Sequence, residues 1–391
     1  MSVYPDFIPY GRQTITTADI NAVISILESD FLTQGPIVPD FESAISEVVD
    51  SKFSVAVNSA TSALHIACIA LDLGPGDILW TVPTTFVASA NCGRYCGAAV
   101  DFVDIDPATG LMSVEALAVK LEQADREGAL PKVVVPVHLT GSSCDMASIS
   151  SLAERYGFAV LEDASHAIGG SYQGEPVGNC RHSAVTVFSF HPVKIITTGE
   201  GGLATTNDSV LAQRMADLRS HGITKDAKRF ELPASGPWSY EQQELGFNYR
   251  MTDLQAALGL SQLQRLEQIV AERQRLLHQY STLLADLPLR LLEIPRNVYS
   301  ALHLAVIRLD DSCPTHHRRV FDGLRASEIG VQVHYTPVHL QPYYRRLGFC
   351  EDDFPEAEAY ATNAISLPLY PGLKESNLQR VAGTLTTLLG S

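Results

Sequence analysis

The chain has 391 residues, 46% of them hydrophobic and only 18% charged, with a formal net charge of −16. That length exceeds one ordinary core, and the low charge content excludes a disordered chain in favour of a large buried interior or subunit interface. The acidic balance excludes non-specific binding to nucleic acid or anionic lipid, so neither is expected as a partner, and an anionic substrate must be held by local donors.

No apolar run reaches membrane-spanning length, and Met1-Ser2-Val3-Tyr4-Pro5-Asp6 lacks a basic n-region and an apolar h-region, so the chain reads as cytoplasmic. Thr16-Thr17-Ala18-Asp19 reads as a capping box, with Ile20, Val23, Ile24 and Leu27 at helical spacing behind it. Apolar runs at 53–57, 78–82, 99–105, 133–139, 158–162 and 185–190 then alternate with helix-like segments at 60–71, 84–96, 113–124 and 146–156. This alternation predicts an α/β fold: a mainly parallel sheet covered on both faces, with ligands at the carboxyl ends of its strands. Residues 224–243, charged and bearing Pro and Gly, predict a long surface loop. A second capping box at Thr252-Asp253-Leu254-Gln255 opens a stretch, 252–285, with no proline and one glycine, predicting one long helix leaving the large domain. Beyond about 290, apolar stretches at 302–309 and 331–335 and helical patterns at 316–327 and 354–362 predict a smaller α+β domain. The division is thus 1–260 for a large α/β domain with an N-terminal arm, and 261–391 for the smaller one. The seven cysteines include no CxxC pair, and Cys92 and Cys96 have no partner pair to complete a metal site, so buried free thiols and no metal are expected.

The strand ends carry the chemistry. The 53–57 run feeds through Asn58-Ser59-Ala60-Thr61-Ser62 into a helical stripe of Leu64, Ala67, Cys68 and Leu71. A strand entering a helix this way offers free N–H groups and a positive dipole end, either an anion site or a plain N-cap. The 158–162 run ends at Glu162-Asp163-Ala164-Ser165-His166, which puts an acid in the crevice or merely caps a loop. Ser189 closes the 185–190 run with a hydroxyl. Lys194, a lone lysine among Val193, Ile195 and Ile196, is either a solvated loop residue or an amine whose stem is held by apolar neighbours. In the second case desolvation lowers its pKa, as a Schiff-base lysine requires. Amine, acid and anion cradle together suit pyridoxal 5′-phosphate (PLP).

SFHPVKIITTGEGG, at 189–202, resembles the Schiff-base lysine motif of the nucleotide-sugar aminotransferases, a branch of the fold-type-I PLP-dependent enzymes. LTQGP at 32–36, NSATSAL at 58–64, EDASHAIG at 162–169, LRSHGI at 218–223 and GFNYRMTDLQAALGLSQL at 246–263 match that family in the same order, over nearly the whole chain. PTTFVASAN at 83–91 and GVQVHYTPVHLQPYY at 330–344 are most similar to its pseudaminic acid branch. The resemblance implies a mainly parallel mixed sheet sandwiched by helices, followed by a smaller C-terminal α+β domain. It implies that Lys194 forms the Schiff base and carries protons, that Asp163 pairs with the pyridinium nitrogen, that Phe86 stacks on the ring and that His166 contacts its O3′ side. Ala60, Thr61 and Ser189 would hold the phosphate, with Asn248 supplied by a second subunit, so a homodimer with shared sites is expected. Tyr10, Ser59, Thr33, His334, Tyr335, Thr336 and His339 would line the sugar-nucleotide pocket. The implied reaction moves the amine of L-glutamate, by way of pyridoxamine phosphate, to C4 of a UDP-linked 2-acetamido-2,6-dideoxy-4-keto hexose. The products would be 2-oxoglutarate and UDP-4-amino-4,6-dideoxy-N-acetyl-β-L-altrosamine. The alternatives are another nucleotide-sugar 3- or 4-aminotransferase, of the D-series 4-amino or perosamine type, and a non-catalytic PLP-binding regulator. Lys194 speaks against the deoxygenating branch, which has histidine there; residues 1–52 leave no room for a helix-turn-helix, and no GxxxxGK[ST] suggests an NTPase.

Overall fold

The computed structural model describes residues 6–310 and 314–390, so the Met1–Pro5 segment read above for targeting signals, and Cys313, lie outside the described residues. The large domain is built on a seven-stranded sheet. From one edge to the other it runs Phe53–Val57, Gly202–Thr206, Val185–Ser189, Ala159–Asp163, Val133–Val135, Ile78–Thr81, Ala99–Phe102. The last five are mutually parallel, whereas Gly202–Thr206 runs antiparallel to both its neighbours. Val133–Val135 and Val185–Ser189 are buried at every position, the pattern of strands covered on both faces.

Gly202–Thr206, Gly-Leu-Ala-Thr-Thr, was not among the expected strands because glycine and two threonines mask its burial. Its hydroxyls are satisfied inside: Thr205 Oγ1 donates to Gly178 O at 2.8 Å and Thr206 Oγ1 to Ala184 O at 2.7 Å. The helix expected over 84–96 begins only at Ala88, so Phe86 lies in the loop before it. The single helix expected over 252–285 is two, Asp253–Leu263 and Leu266–Leu283. The break turns Gln262 and Arg265 onto Asp19, each at 2.8 Å from Oδ2, and Ser261 adds a bond to Oδ1 at 2.7 Å. Asp19 also closes the capping box of the Thr17–Leu27 helix, so this buried carboxylate locks the two segments together. Asp253 does the same for the helix Ile37–Val49, accepting the N–H groups of Gly35 at 2.8 Å and Ile37 at 2.9 Å.

The smaller sheet is antiparallel, with Ala305–Leu309 between Leu289–Leu291 and Ala364–Leu367, and its core takes Val320 and Leu324 from Pro314–Ala326 and Leu378, Val381 and Leu385 from Glu375–Leu389. The Leu266–Leu283 helix serves both cores: Leu266, Ile269 and Val270 pack in a large-domain cluster, Leu276 and Tyr280 in the smaller one. Ile8 of the N-terminal arm also packs in the smaller core. Residues 331–335 form no regular strand, only an isolated bridge between Gln332 and Ser366, and they adopt a cis peptide bond at His334-Tyr335. The 224–243 excursion is mostly exposed and is closed by a short ribbon of Ile223–Thr224 with Glu241–Gln242. Six described cysteines are free; Cys350 is exposed rather than buried as expected, because it sits in a surface turn. Among the described residues, no helix is long and apolar enough to cross a membrane, and no cluster of three His, Cys, Asp or Glu residues is placed to hold a metal.

Candidate active site

The carboxyl ends of the central strands open into a cavity of about 440 Å³. Asp163 is the last residue of Ala159–Asp163 and is 5% exposed. Ser89 donates to its Oδ2 at 2.6 Å, Thr85 lies 2.8 Å behind Ser89, and the N–H of Ser165 donates to Oδ1 at 3.1 Å. None of these donors is a cation, so the charge remains available to a group in the cavity. Beneath it, Glu162 faces the opposite side of the strand and accepts from His138 Nε2 at 2.7 Å and from Ser183 and Thr186. The N–H of Cys144 lies 3.3 Å from His138 Nδ1, and, against the cost of burial, the Glu162 carboxylate helps hold the imidazole pKa up at about 10. Burial alone would raise the Glu162 pKa; these donors hold it below the usual carboxylate value.

The Ala60–Ala70 helix starts directly after Phe53–Val57, and its N-cap Ser59 accepts the N–H of Ser62 at 3.1 Å. The N–H groups of Ala60 and Thr61 belong to the first turn, which lacks intrahelical acceptors, and both residues line the cavity with Ser59 and Ser189. Gly202 is required here: a Cβ on it would stand 2.3 Å from Ala60 N, inside the cradle itself.

Lys194 enters from the loop after Val185–Ser189, its N–H bonded to His191 O at 2.9 Å and its stem flanked by buried Ile195 and Ile196. Burial draws its pKa from 10.5 down to about 8, against the opposing charge of Asp163. His166, His303 and His334 stand around it. His166 Nε2 is 3.3 Å from Tyr335 Oη, and His334 Nδ1 is 2.8 Å from Ser366 Oγ. Burial first, then the charge of Lys194, pushes His334 down to about 4 and His166 well below the ordinary imidazole value. For His303 burial again leads, followed by His166 and Lys194. Burial raises the phenol of Tyr335 far above its usual range. Phe86, 58% exposed, sits at the mouth with its ring 6.3 Å from that of Tyr335, and Tyr10 packs on His334 at 5.4 Å.

The cavity therefore brings together Lys194, Asp163, His166, Phe86, Ser59, Ala60, Thr61, Ser189, Tyr10, His334 and Tyr335. Four expected residues are elsewhere. His339 is fully buried, bonded to Glu358 at 2.9 Å and packed on Phe354 at 4.8 Å, because the turn Val338–Leu340 aims it into the core and away from the pocket. Thr33, which pairs with Thr252, Thr336 and Asn248, which pairs with Ser220, are exposed outside the cavity. Ser89, Thr85 and His303 were missed. Ser89 is 74 positions from its acid, with no local signal, whereas His303 interrupts an apolar run and could have been flagged for that.

A desolvated amine, a buried carboxylate with no cationic donor and an N-terminal N–H cradle in one cavity match the aldehyde, ring nitrogen and phosphate of PLP. The model of the DegT/DnrJ/EryC1/StrS aminotransferase family matches residues 13–386. The Bacillus subtilis spore coat polysaccharide biosynthesis protein SpsC is 38% identical over 379 residues, covering 96% of this chain and 95% of that one. Helicobacter pylori PseC, an aminotransferase involved in the biosynthesis of pseudoaminic acid, is 30% identical with a TM-score of 0.89 over 98% of this chain and 99% of its own. A candidate sugar aminotransferase, Spr1654 of Streptococcus pneumoniae, solved in its PMP form, gives the same identity, 30%, a TM-score of 0.89 and the same coverage, 98% and 99%. Spr1654 has also been solved in its PLP form. The chain belongs to the DegT/DnrJ/EryC1/StrS family and is a PLP-dependent sugar aminotransferase with a fold-type-I architecture.

Proposed function

We propose that the enzyme transfers the amino group of L-glutamate to C4 of a UDP-linked 2-acetamido-2,6-dideoxy-4-keto hexose of the β-L-arabino type. The products are 2-oxoglutarate and UDP-4-amino-4,6-dideoxy-N-acetyl-β-L-altrosamine, a step of pseudaminic acid biosynthesis in the cytoplasm. The observation that carries the chemistry is the half-buried Lys194, its amine drawn down to about 8, in one cavity with Asp163 and the start of the Ala60–Ala70 helix. The likeness to PseC over 98% of the chain supports the choice of sugar.

PLP supplies an aldehyde for the amine and a ring that accepts an electron pair when a neighbouring carbon loses its proton. Asp163, its two carboxylate oxygens fixed by Ser89 and by the Ser165 N–H, would hold the ring nitrogen and keep it protonated. The Ala60 and Thr61 N–H groups and the Ser189 hydroxyl would hold the phosphate, and Phe86 would cover the ring. Lys194 Nζ removes the proton from the donor's α-carbon and later delivers one to the new amine-bearing carbon. Tyr10, His334 and Tyr335 offer neutral hydrogen-bonding groups to the sugar, Thr33 and Thr336 lie outside for the nucleotide, and exposed Asn248 reaches the phosphate of a second subunit in a homodimer. A second reading, another nucleotide-sugar 3- or 4-aminotransferase of a different polysaccharide pathway, is supported by the higher identity, 38%, to SpsC, a spore coat polysaccharide biosynthesis protein.

Purified enzyme with L-glutamate and a panel of UDP-ketosugars, the products identified by NMR, separates these readings. The L-altro 4-amine from the β-L-arabino ketone is the expected product; preferential turnover of a D-series or 3-keto substrate overturns the sugar assignment.

A further inference from the structure

His303 has no part in that mechanism, yet it is among the most constrained residues around the cavity. Its N–H donates to Thr140 O at 2.7 Å. The buried guanidinium of Arg273 donates to the carbonyls of Leu302 at 3.1 Å, His303 at 3.2 Å and Leu369 at 3.0 Å. Two non-glycine residues in this clamp are left-handed, Thr140 at φ 62° and Leu302 at φ 54°. Such backbones are costly, above all for a β-branched residue, and persist where the surroundings over-determine them, commonly at functional sites. Gly141, at φ 101°, permits the approach: a Cβ there would lie 2.7 Å from Leu302 N.

The clamp presents a ring that is 5% exposed, lines the cavity and lies 4.3 Å from the His166 ring at an interplanar angle of 48°. The Nδ1 atoms of both rings are sealed from solvent and have no hydrogen-bond partner among the described residues. Two unpaired buried nitrogens in touching rings are a cost that phenylalanine at 303 would avoid while filling the same space. The χ2 torsion of an imidazole is broad, so the two rings, 4.3 Å apart, can turn their orphan nitrogens toward each other.

We propose that His303 is a positioning residue for His166: its Nδ1–H donates to His166 Nδ1 and so fixes the His166 proton on Nε2, the nitrogen that faces Tyr335. This rests on the reading that His166 contacts the O3′ side of PLP, to which it then presents one N–H. Burial beside Lys194, with Arg273 and His334 nearby, keeps both imidazoles neutral, so that one nitrogen is a donor and the other an acceptor.

The test compares His303→Phe, which keeps a ring, with His303→Asn, which keeps an N–H near the Nδ1 position, alongside His166→Phe and the double variant His166→Phe/His303→Phe. Dissociation constants for PLP and the pH midpoint of the visible band of lysine-bound cofactor are read for each. His303→Phe should weaken PLP about tenfold and shift the midpoint, His303→Asn should stay within about threefold of wild type, and His303→Phe should add nothing once His166 is gone. A His303→Phe protein that binds and titrates like wild type, a His303→Asn protein as impaired as His303→Phe, or additive losses in the double variant overturns the proposal alone. A His166→Phe protein that matches wild type overturns the reading of His166, and the proposal with it.

Discussion

Lys194 permits a prediction that depends chiefly on desolvation, opposed by the charge of Asp163. The lysine side chain lines the cavity beside Val193, and desolvation of the ammonium carries the pKa from 10.5 to about 8. That fall corresponds to roughly 3 kcal/mol in favour of the neutral amine. At pH 7 roughly one amine in ten is then nucleophilic, against about one in three thousand for an ordinary lysine. Cofactor-free protein is mixed with PLP across a pH series, the adduct is trapped with borohydride, and its rate of appearance is followed by peptide mass spectrometry. The rate should climb about tenfold per unit and level off near pH 8, with the adduct on Lys194. Because Asp163 holds the pKa up, Asp163→Asn should move the midpoint lower still. The same shift affects stability. Between about 8 and 10.5 the unfolded lysine keeps a proton that the folded one has lost, so the cofactor-free protein gains stability as pH rises through that window. A rate that keeps climbing past pH 10 with no break near 8, or an adduct on another lysine, would refute the reasoning.

Asp163→Ala should still bind PLP but turn over roughly ten- to a hundredfold more slowly, since one charge-assisted hydrogen bond is worth about 1.5–3 kcal/mol; steady-state kinetics measure it. Gly202→Ala should lose PLP affinity by more than about tenfold in equilibrium dialysis, because its Cβ would meet Ala60 N at 2.3 Å and displace the phosphate cradle. Mixing Lys194→Ala with Asn248→Ala subunits should restore part of the activity that neither homodimer has; no rescue would mean that each site is complete within one chain.

Much of this site was legible before any coordinates. The apolar neighbours of Lys194, the acid at the end of the 158–162 run and the hydroxyl-rich entry to the 60–71 helix are local features, and the α/β alternation says that strand ends converge. The local signal failed where a residue's environment is set by distant chain. Gly202–Thr206 looks too polar for a central strand because its threonines are satisfied by carbonyls at Gly178 and Ala184. The 252–285 stretch has unbroken helical texture, yet bends at Gln264–Arg265 to reach Asp19, some 240 positions away in sequence. His339 shares a motif with His334 but turns into the core to meet Glu358.

By itself, then, the order of residues decided the fold class and the cofactor and set Lys194 among apolar neighbours, because periodicity, capping and flanking hydrophobicity act over a few residues and survive without tertiary context. The tertiary structure alone decided which polar groups have partners. It joined Ser89 to Asp163 across 74 positions, clamped His303 against His166, and left His339 outside the pocket. A hydrogen bond or a desolvation depends on distances of a few ångströms in space, and these are set only when separate strands and helices have packed.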